Sequence, residues 1–154
     1  MSDDPTERDG FLFFWSGWPS QWYPSPFEVD GVRYSCCEQL MMAEKARLFG
    51  DTQTLKAILK AESPREHKAL GREVTPFDEG RWAAVCRDVV YRGNLAKYSQ
   101  NDDLRALLLG TAHLRLVEAS PHDRIWGIGL GAGDPRATHP REWRGKNWLG
   151  QVLM

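Results

Sequence analysis

What most constrains this chain is a series of helix start and stop signals that cut its middle into segments of defined length. Ser35 stands three residues ahead of Glu38, the spacing of a capping box, and Leu40, Met41, Ala43, Leu48 and Phe49 follow at helical intervals until Gly50. A short helix is expected through Leu55, Ile58 and Leu59. Ser63-Pro64-Arg65-Glu66 then repeats the start signature with Pro at the first helical position, and that helix ends near Gly71. Asp78 caps the longest helix, with Trp82, Val85, Cys86 and Val89 as its apolar stripe and its last turns near Tyr98. Another helix is predicted from about Asp102 to Leu109. Asn147 caps a terminal one carrying Trp148, Leu149, Val152 and Leu153.

Strands are fewer. Phe11 to Trp15 is an apolar run without helical spacing, which predicts a buried strand. Phe27, Val29, Val32 and Tyr34 alternate about an Asp30-Gly31 turn, a strong hairpin signal. Leu114 to Ala119 alternates like a strand, and Ile125 to Leu130 is a candidate for a second. Between them Gly17 to Pro26 reads as an irregular but ordered loop, and Gly131 to Arg144 as a surface loop. The expected fold is α+β, a predominantly helical single domain with a small sheet and hairpin, over residues 11–154, behind a flexible leader at residues 1–10.

Charge and cysteine usage restrict the function class. With 20 Lys and Arg against 21 Asp and Glu, the formal net charge is -1, so no long-range field grips duplex phosphates. A role as a bulk DNA coat is disfavoured; a nucleic acid with a chemical mark that fits a pocket is not. Cys36, Cys37 and Cys86 are an odd count without a Cys-x-x-Cys pair, which points away from a disulfide framework and towards a reducing cytoplasm. The first residues lack a signal-peptide layout, and no apolar run approaches the ~18 residues of a membrane helix.

Several constellations are set aside on context. His67, His113, His122 and His139 have no ligand spacing, so no metal site is expected. Cys36 and Cys37 have no histidine partner nearby in sequence and read as packing residues. Gly127 to Gly133 loosely matches a dinucleotide fingerprint, but Asp134-Pro135 follows where a helix should begin. Three features carry more. Glu38 is either a capping residue or a carboxylate facing a cavity, and Lys45 lies seven residues on, on nearly the same helix face. Trp22, Trp82 and Trp126 belong either to the core or to a pocket wall on which a flat heterocycle stacks. Lys146, just before the last helix, is either solvated or a phosphate ligand together with free N–H groups.

Taken together, these residues resemble a known family. The loop from Pro19 to Phe27, the Val29-Asp30-Gly31 turn, Cys37-Glu38-Gln39 with Lys45-Ala46, Gly71-Arg72, Trp82, Leu116-Val117-Glu118, Asp123 to Gly127, and Gly145-Lys146-Asn147-x-Leu149-Gly150 are similar to the NADAR family of YbiA-like N-glycosidases, from about Phe11 to Met154. The resemblance implies a compact, mostly helical fold and hydrolysis of a ribose C1′–N bond without a metal or redox cofactor. It implies one of two substrates. One is an early riboflavin-pathway intermediate, a phosphoribosylamino-pyrimidine that releases ribose 5-phosphate. The other is ADP-ribosylated guanine in a nucleotide or nucleic acid.

Carried over by the same resemblance, Glu38 matches the essential glutamate, expected to stabilise positive charge at C1′ and activate water. Lys45 either protonates the leaving base or attacks C1′. Asp123 is expected to fix ribose hydroxyls, Trp82 and Trp126 to enclose base or sugar, and Arg72 or Lys146 to hold phosphate. Gln21, Trp22, Gly127 and Asn147 complete the expected substrate-binding set. The loop Ser20-Gln21-Trp22 departs from the usual Ser-Asn-Phe, and the longer Gln21 amide is expected to shift a sugar or base contact. The competing class is a pocket that binds ADP-ribose or a related nucleotide without cleaving it.

Overall fold

In chain order, residues 4–154, those described by the computed structural model, place strands at Thr6–Arg8 (β1), Phe11–Phe14 (β2), Phe27–Val29 (β3), Val32–Tyr34 (β4) and Arg115–Glu118 (β5). The helices are Cys37–Leu48 (α1), Thr52–Lys60 (α2), Pro64–Gly71 (α3), Glu79–Gln100 (α4), Asp102–Leu109 (α5) and Trp148–Leu153 (α6). Helix dominates over two small sheets, the α+β class the sequence pattern predicts. The contacts divide the chain into two compact units, residues 24–101 and residues 4–23 with 102–154.

Residues 24–101 are built around α1. Cys37, Glu38, Gln39, Leu40, Met41, Met42, Ala43 and Ala46 are all buried, so this helix is enclosed on most sides by α2, α3 and α4. Three of the neighbouring starts are capped as their sequences demand. Asp51 Oδ1 accepts the Thr54 N–H (3.0 Å), Ser63 Oγ that of Glu66 (3.2 Å) and Asp78 Oδ1 that of Arg81 (3.0 Å). The β3–β4 hairpin turns through Asp30 and Gly31 with φ of 51° and 78°, the left-handed pair of a type I′ turn.

The start of α1 departs from the expected capping box. Its N-cap is Cys36, whose side chain caps nothing. Gln39 closes the turn instead: its Oε1 accepts the Ser35 N–H (2.8 Å) and the Ser35 hydroxyl (3.2 Å), while its Nε2 donates to Ile58 O (3.1 Å). The helix begins one residue later than the Ser35 start implies, so the reach-back role passes from Glu38 to the next residue.

A second difference lies beside it. Cys36 does have a histidine partner, supplied by α3: Sγ lies 3.7 Å from His67 Nδ1, and His67 Nε2 lies 2.8 Å from Ala61 O. A carbonyl only accepts, so Nε2 carries the proton and Nδ1 accepts the thiol. Both residues are buried, which pushes the thiol pKa up and the ring pKa down. This is a neutral packing pair, not an activated nucleophile. Its consequence is acid sensitivity. The folded ring titrates below the ordinary value of 6.5, so below that pH the unfolded chain takes up a proton the folded one refuses. Thermal unfolding between pH 7 and 5.5 should show the midpoint falling as pH drops from 6.5, and falling less in His67→Asn. An equal fall in both proteins would remove His67 as the cause.

In the other unit the sheet order is β1-β2-β5, with β1 antiparallel and β5 parallel to β2. The described part of the expected flexible leader is therefore structured: Thr6, Glu7 and Arg8 pair with Phe13, Leu12 and Phe11, because β2 offers them an open edge. Met1 to Asp3 lie outside the described residues. Phe13, Val117, Ala119, Ile128, Leu130 and Ala137 form a core, each large apolar side chain contributing roughly 1.5–3 kcal/mol on burial.

Ile125 to Leu130 is not a strand. Gly129 takes φ +71°, the Ile128 N–H goes to Glu118 O and the Gly129 N–H to Asp123 O, so the segment folds back on itself. The expected surface loop at 131–144 contains short 3-10 turns at Pro135–Thr138 and Pro140–Glu142, and it buries Ala137 beneath the Trp143 indole, whose N–H donates to Ala137 O (2.8 Å). Among the described residues, no helix is long and apolar enough to cross a membrane.

Candidate active site

Within residues 24–101, the face of α1 that carries Glu38 also carries Lys45, two turns on. Glu38 is buried at 5% exposure, and the reach-back to Ser35 is made by its neighbour Gln39. Lys45 Nζ donates to Gly71 O (2.7 Å) at the end of α3 and lies 4.6 Å from the centroid of the Phe77 ring. Burial pushes the Lys45 pKa below its ordinary 10.5; the Glu38 charge opposes that shift and the Arg72 charge adds to it. Both charges therefore reach Lys45, and the sequence-predicted trio Glu38, Lys45 and Arg72 is brought together around it.

The close approach of α3 that delivers Gly71 O has a steric cause. A Cβ on Gly71 would fall 1.9 Å from Met42 Sδ and 2.8 Å from its Cγ, so a larger residue requires the Met42 side chain or α3 to move. Arg72 follows at the C-cap, exposed to solvent, where a guanidinium is free to swing onto a phosphate. Trp82 lies in the first turn of α4, half-buried.

Behind this face lie groups the sequence did not single out. Cys37 is fully enclosed and its thiol is pushed up to about 12, and Lys97 on α4 is buried with its amine pushed down to about 8 by desolvation. The signal for Lys97 was present in principle, since it falls on the buried stripe of α4, but a lysine there reads as a stripe ending. Among the described residues, no cluster of three or more His, Cys, Asp and Glu is arranged to hold a metal ion.

The other unit gathers Asp123, Trp126, Gly127, Lys146 and Asn147. Asp123 Oδ1 accepts the N–H groups of Ile125 (2.9 Å) and Trp126 (2.8 Å), so one carboxylate oxygen holds the turn that presents the Trp126 ring. Gly127 has no room for a side chain, because a Cβ would lie 2.9 Å from Glu118 O and 3.0 Å from Asp123 O. Gly145 is tighter, at 2.2 Å from Gly127 O. Glycines at these crossings let the 144–149 segment run against 124–128, linked by N–H donation from Lys146, Asn147, Trp148 and Leu149 to Arg124, Gly127, Ile125 and Trp126 carbonyls.

Two expectations change here. Asn147 does not cap α6 with its side chain, although it occupies the N-cap in the left-handed region at φ 54°. Buried at 1% exposure, its Oδ1 accepts the Glu118 N–H and its Nδ2 donates to Leu116 O, each at 3.0 Å, so both ends of the amide brace β5. The expected anion site of free N–H groups at the start of α6 is absent too: the Trp148 and Leu149 N–H groups are spent on the backbone of 125–126. Lys146 itself is exposed, with Nζ 4.8 Å from the Trp148 ring centroid. Trp148 is half-buried and meets Trp126 edge-on at 5.8 Å. Gln21 is buried and Trp22 is 40% exposed, in a loop whose turns are closed by Ser20 N–H to Gly17 O, Tyr23 N–H to Ser20 O and Trp22 N–H to Ser20 Oγ.

Comparison with known proteins agrees with this architecture. A family model described as the NADAR domain matches residues 13–154. The protein irg-1 of Caenorhabditis elegans is 43% identical over 150 residues, covering 87% of this chain and 71% of that one. An N-glycosidase of Acanthamoeba polyphaga mimivirus is 44% identical over 140 residues, covering 88% of this chain and 82% of its own. N-glycosidase YbiA of Escherichia coli is 34% identical over 129 residues, 84% of this chain and 72% of that one. Its NMR structure matches with a TM-score of 0.78 at 30% identity, over 97% of this chain and 83% of that one.

Proposed function

The chain belongs to the NADAR family, and from that premise we propose that it is an N-glycosidase hydrolysing the C1′–N bond of a phosphorylated N-riboside. The observation that carries the reading is the buried Glu38 carboxylate on the same α1 face as Lys45, with helix closure delegated to Gln39. Breaking a C1′–N bond builds positive charge on the ribose carbon and ring oxygen. A carboxylate held at low exposure stabilises that charge more strongly than one in water and can take a proton from the attacking water.

Lys45 serves the leaving side. As an ammonium it gives a proton to the departing nitrogen. As a free amine it attacks C1′, the C–N bond breaks, and the opened ribose is held as an imine until water releases it. Arg72 supplies a cation for the 5′-phosphate. We assign Trp82, Trp22 and Trp126 to enclosing the sugar or base, Lys146 to phosphate, and Gln21 to a sugar or base contact. Asp123 contributes by holding the turn at Trp126 and Asn147 by bracing β5, with any direct ribose contact of Asp123 left to its second oxygen. This chemistry needs water and draws on no metal or redox cofactor.

We take the phosphoribosylamino-pyrimidine as the first substrate and ADP-ribosylated guanine as the second, because a net charge of -1 gives little attraction for a polyanion. The free, buried thiols of Cys36, Cys37 and Cys86 fit a reducing compartment, and we place its action in the cytoplasm. The test is a mass-spectrometric competition in one tube between the phosphoribosylamino-pyrimidine and an ADP-ribosyl-guanosine oligonucleotide. Release of ribose 5-phosphate is expected. Release of ADP-ribose alone would exchange the substrates, and binding with neither release would make the protein a nucleotide reader.

A further inference from the structure

Phe77 is exposed where packing alone gives no reason for a large apolar ring. It sits between α3 and α4, one residue ahead of the Asp78 cap, and 47% of it faces solvent. The ring is nonetheless held in place. Its centroid lies 5.3 Å from that of Phe49 in an edge-on pair at 63°, and Lys45 Nζ sits 4.6 Å from it. Phe49 is itself buried and topped by the Arg81 guanidinium at 5.4 Å from its centroid, so the Phe49–Phe77 pair has a fixed base. A fixed aromatic ring with nearly half its surface open, beside the amine of Lys45, is the arrangement that receives another flat ring.

We propose that Phe77 is the stacking surface for the leaving group, which makes the enzyme selective for N-ribosides whose departing nitrogen belongs to or is attached to a heteroaromatic ring. The proposal rests on the N-glycosidase reading above. Stacking at Phe77 places the departing nitrogen beside Lys45, the group that acts on it, while Arg72 and Glu38 hold the phosphate and sugar ends. The ring is a binding residue, and its contribution belongs to the base and not to the ribose.

The experiment compares wild type with Phe77→Ala, Phe77→Leu and Phe77→Tyr on the phosphoribosylamino-pyrimidine, with ribose 5-phosphate as an inhibitor that lacks the ring. If wild type cleaves only the ADP-ribosyl-guanosine oligonucleotide, that oligonucleotide becomes the substrate and ribose 5-phosphate stays as the ring-free inhibitor. Phe77→Ala is expected to raise KM about 5- to 100-fold, the range typical of one base–aromatic stack, with inhibition by the ring-free sugar phosphate changed less than about twofold. Phe77→Tyr should restore KM and Phe77→Leu should not. Because the side chain is half-exposed, the variants should melt close to wild type. Equal weakening of substrate and sugar phosphate, full function in Phe77→Leu, or a KM unchanged in Phe77→Ala would each overturn the proposal while leaving the N-glycosidase reading standing. A shift in the pH limb of kcat with KM unchanged would do the same, by making Phe77 a positioning residue for Lys45. A wild-type protein that cleaves neither substrate would overturn the reading, and this proposal with it.

Discussion

Glu38→Gln should fold normally and lose about 10³-fold or more of the C1′–N cleavage rate. The two side chains have the same shape, so what is removed is charge and basicity. An amide neither balances an oxocarbenium ion nor accepts the proton of water. The fold is expected to survive because the amide keeps the shape of the carboxylate and Gln39, with Ser35 and Ile58, still closes α1. Groups kept for chemistry are commonly held at a cost in stability, so the unfolding midpoint should stay level or rise. Far-UV circular dichroism with a thermal melt, run beside the turnover assay, checks both halves. Wild-type turnover in the folded variant would remove Glu38 from the chemistry, and an unfolded variant would make it a structural residue.

Lys45→Met keeps most of the aliphatic stem over Phe77 but removes the amine, and kcat should fall about 10²- to 10⁴-fold. The pH profile then separates the two roles open to the group. Its pKa is lowered by burial, so the Lys45 limb lies below 10.5. If the free amine attacks C1′, kcat rises with pH through that limb, because deprotonation creates the nucleophile. If the ammonium protonates the leaving nitrogen, kcat falls through the same limb. Borohydride added during turnover gives an independent readout. The first case leaves a stable adduct, one opened sugar phosphate in mass, on wild type and none on Lys45→Met; the second leaves none on either. A Lys45→Met protein with the wild-type kcat would dismiss both.

Several parts of the site were legible before any coordinates. The pairing of Glu38 with Lys45 follows from a seven-residue spacing on a helix, a local rule that tertiary contacts did not disturb. Gly71-Arg72 was visible as a motif, and its meaning came from the fold: Gly71 packs against the Met42 side chain with no room left for a Cβ, and its carbonyl accepts from Lys45. Asp123 and Asn147 were visible as polar residues near the site, and both turned out to spend side-chain atoms on backbone. A side chain's partner in space is not encoded in its sequence neighbours, so such residues look like ligands until the turn they hold is seen. Phe77 and the Cys36–His67 pair escaped for the same reason, since their partners lie 28 and 31 residues away in Phe49 and across α3.

What the sequence determined by itself were the caps at Ser63 and Asp78, the Asp30-Gly31 hairpin, and the shared face of Glu38 and Lys45 on α1. Hydrogen bonds spanning three or four residues fix those features whatever surrounds them. The tertiary structure decided how the chemically able residues are placed. It assigned the reach-back at α1 to Gln39, buried Glu38 on the Lys45 face, and spent Asn147 on β5. It also left Phe77 in the open beside Lys45. Those outcomes depend on close approaches between distant segments, where a missing Cβ or a single carbonyl decides which side chain is bound and which is available.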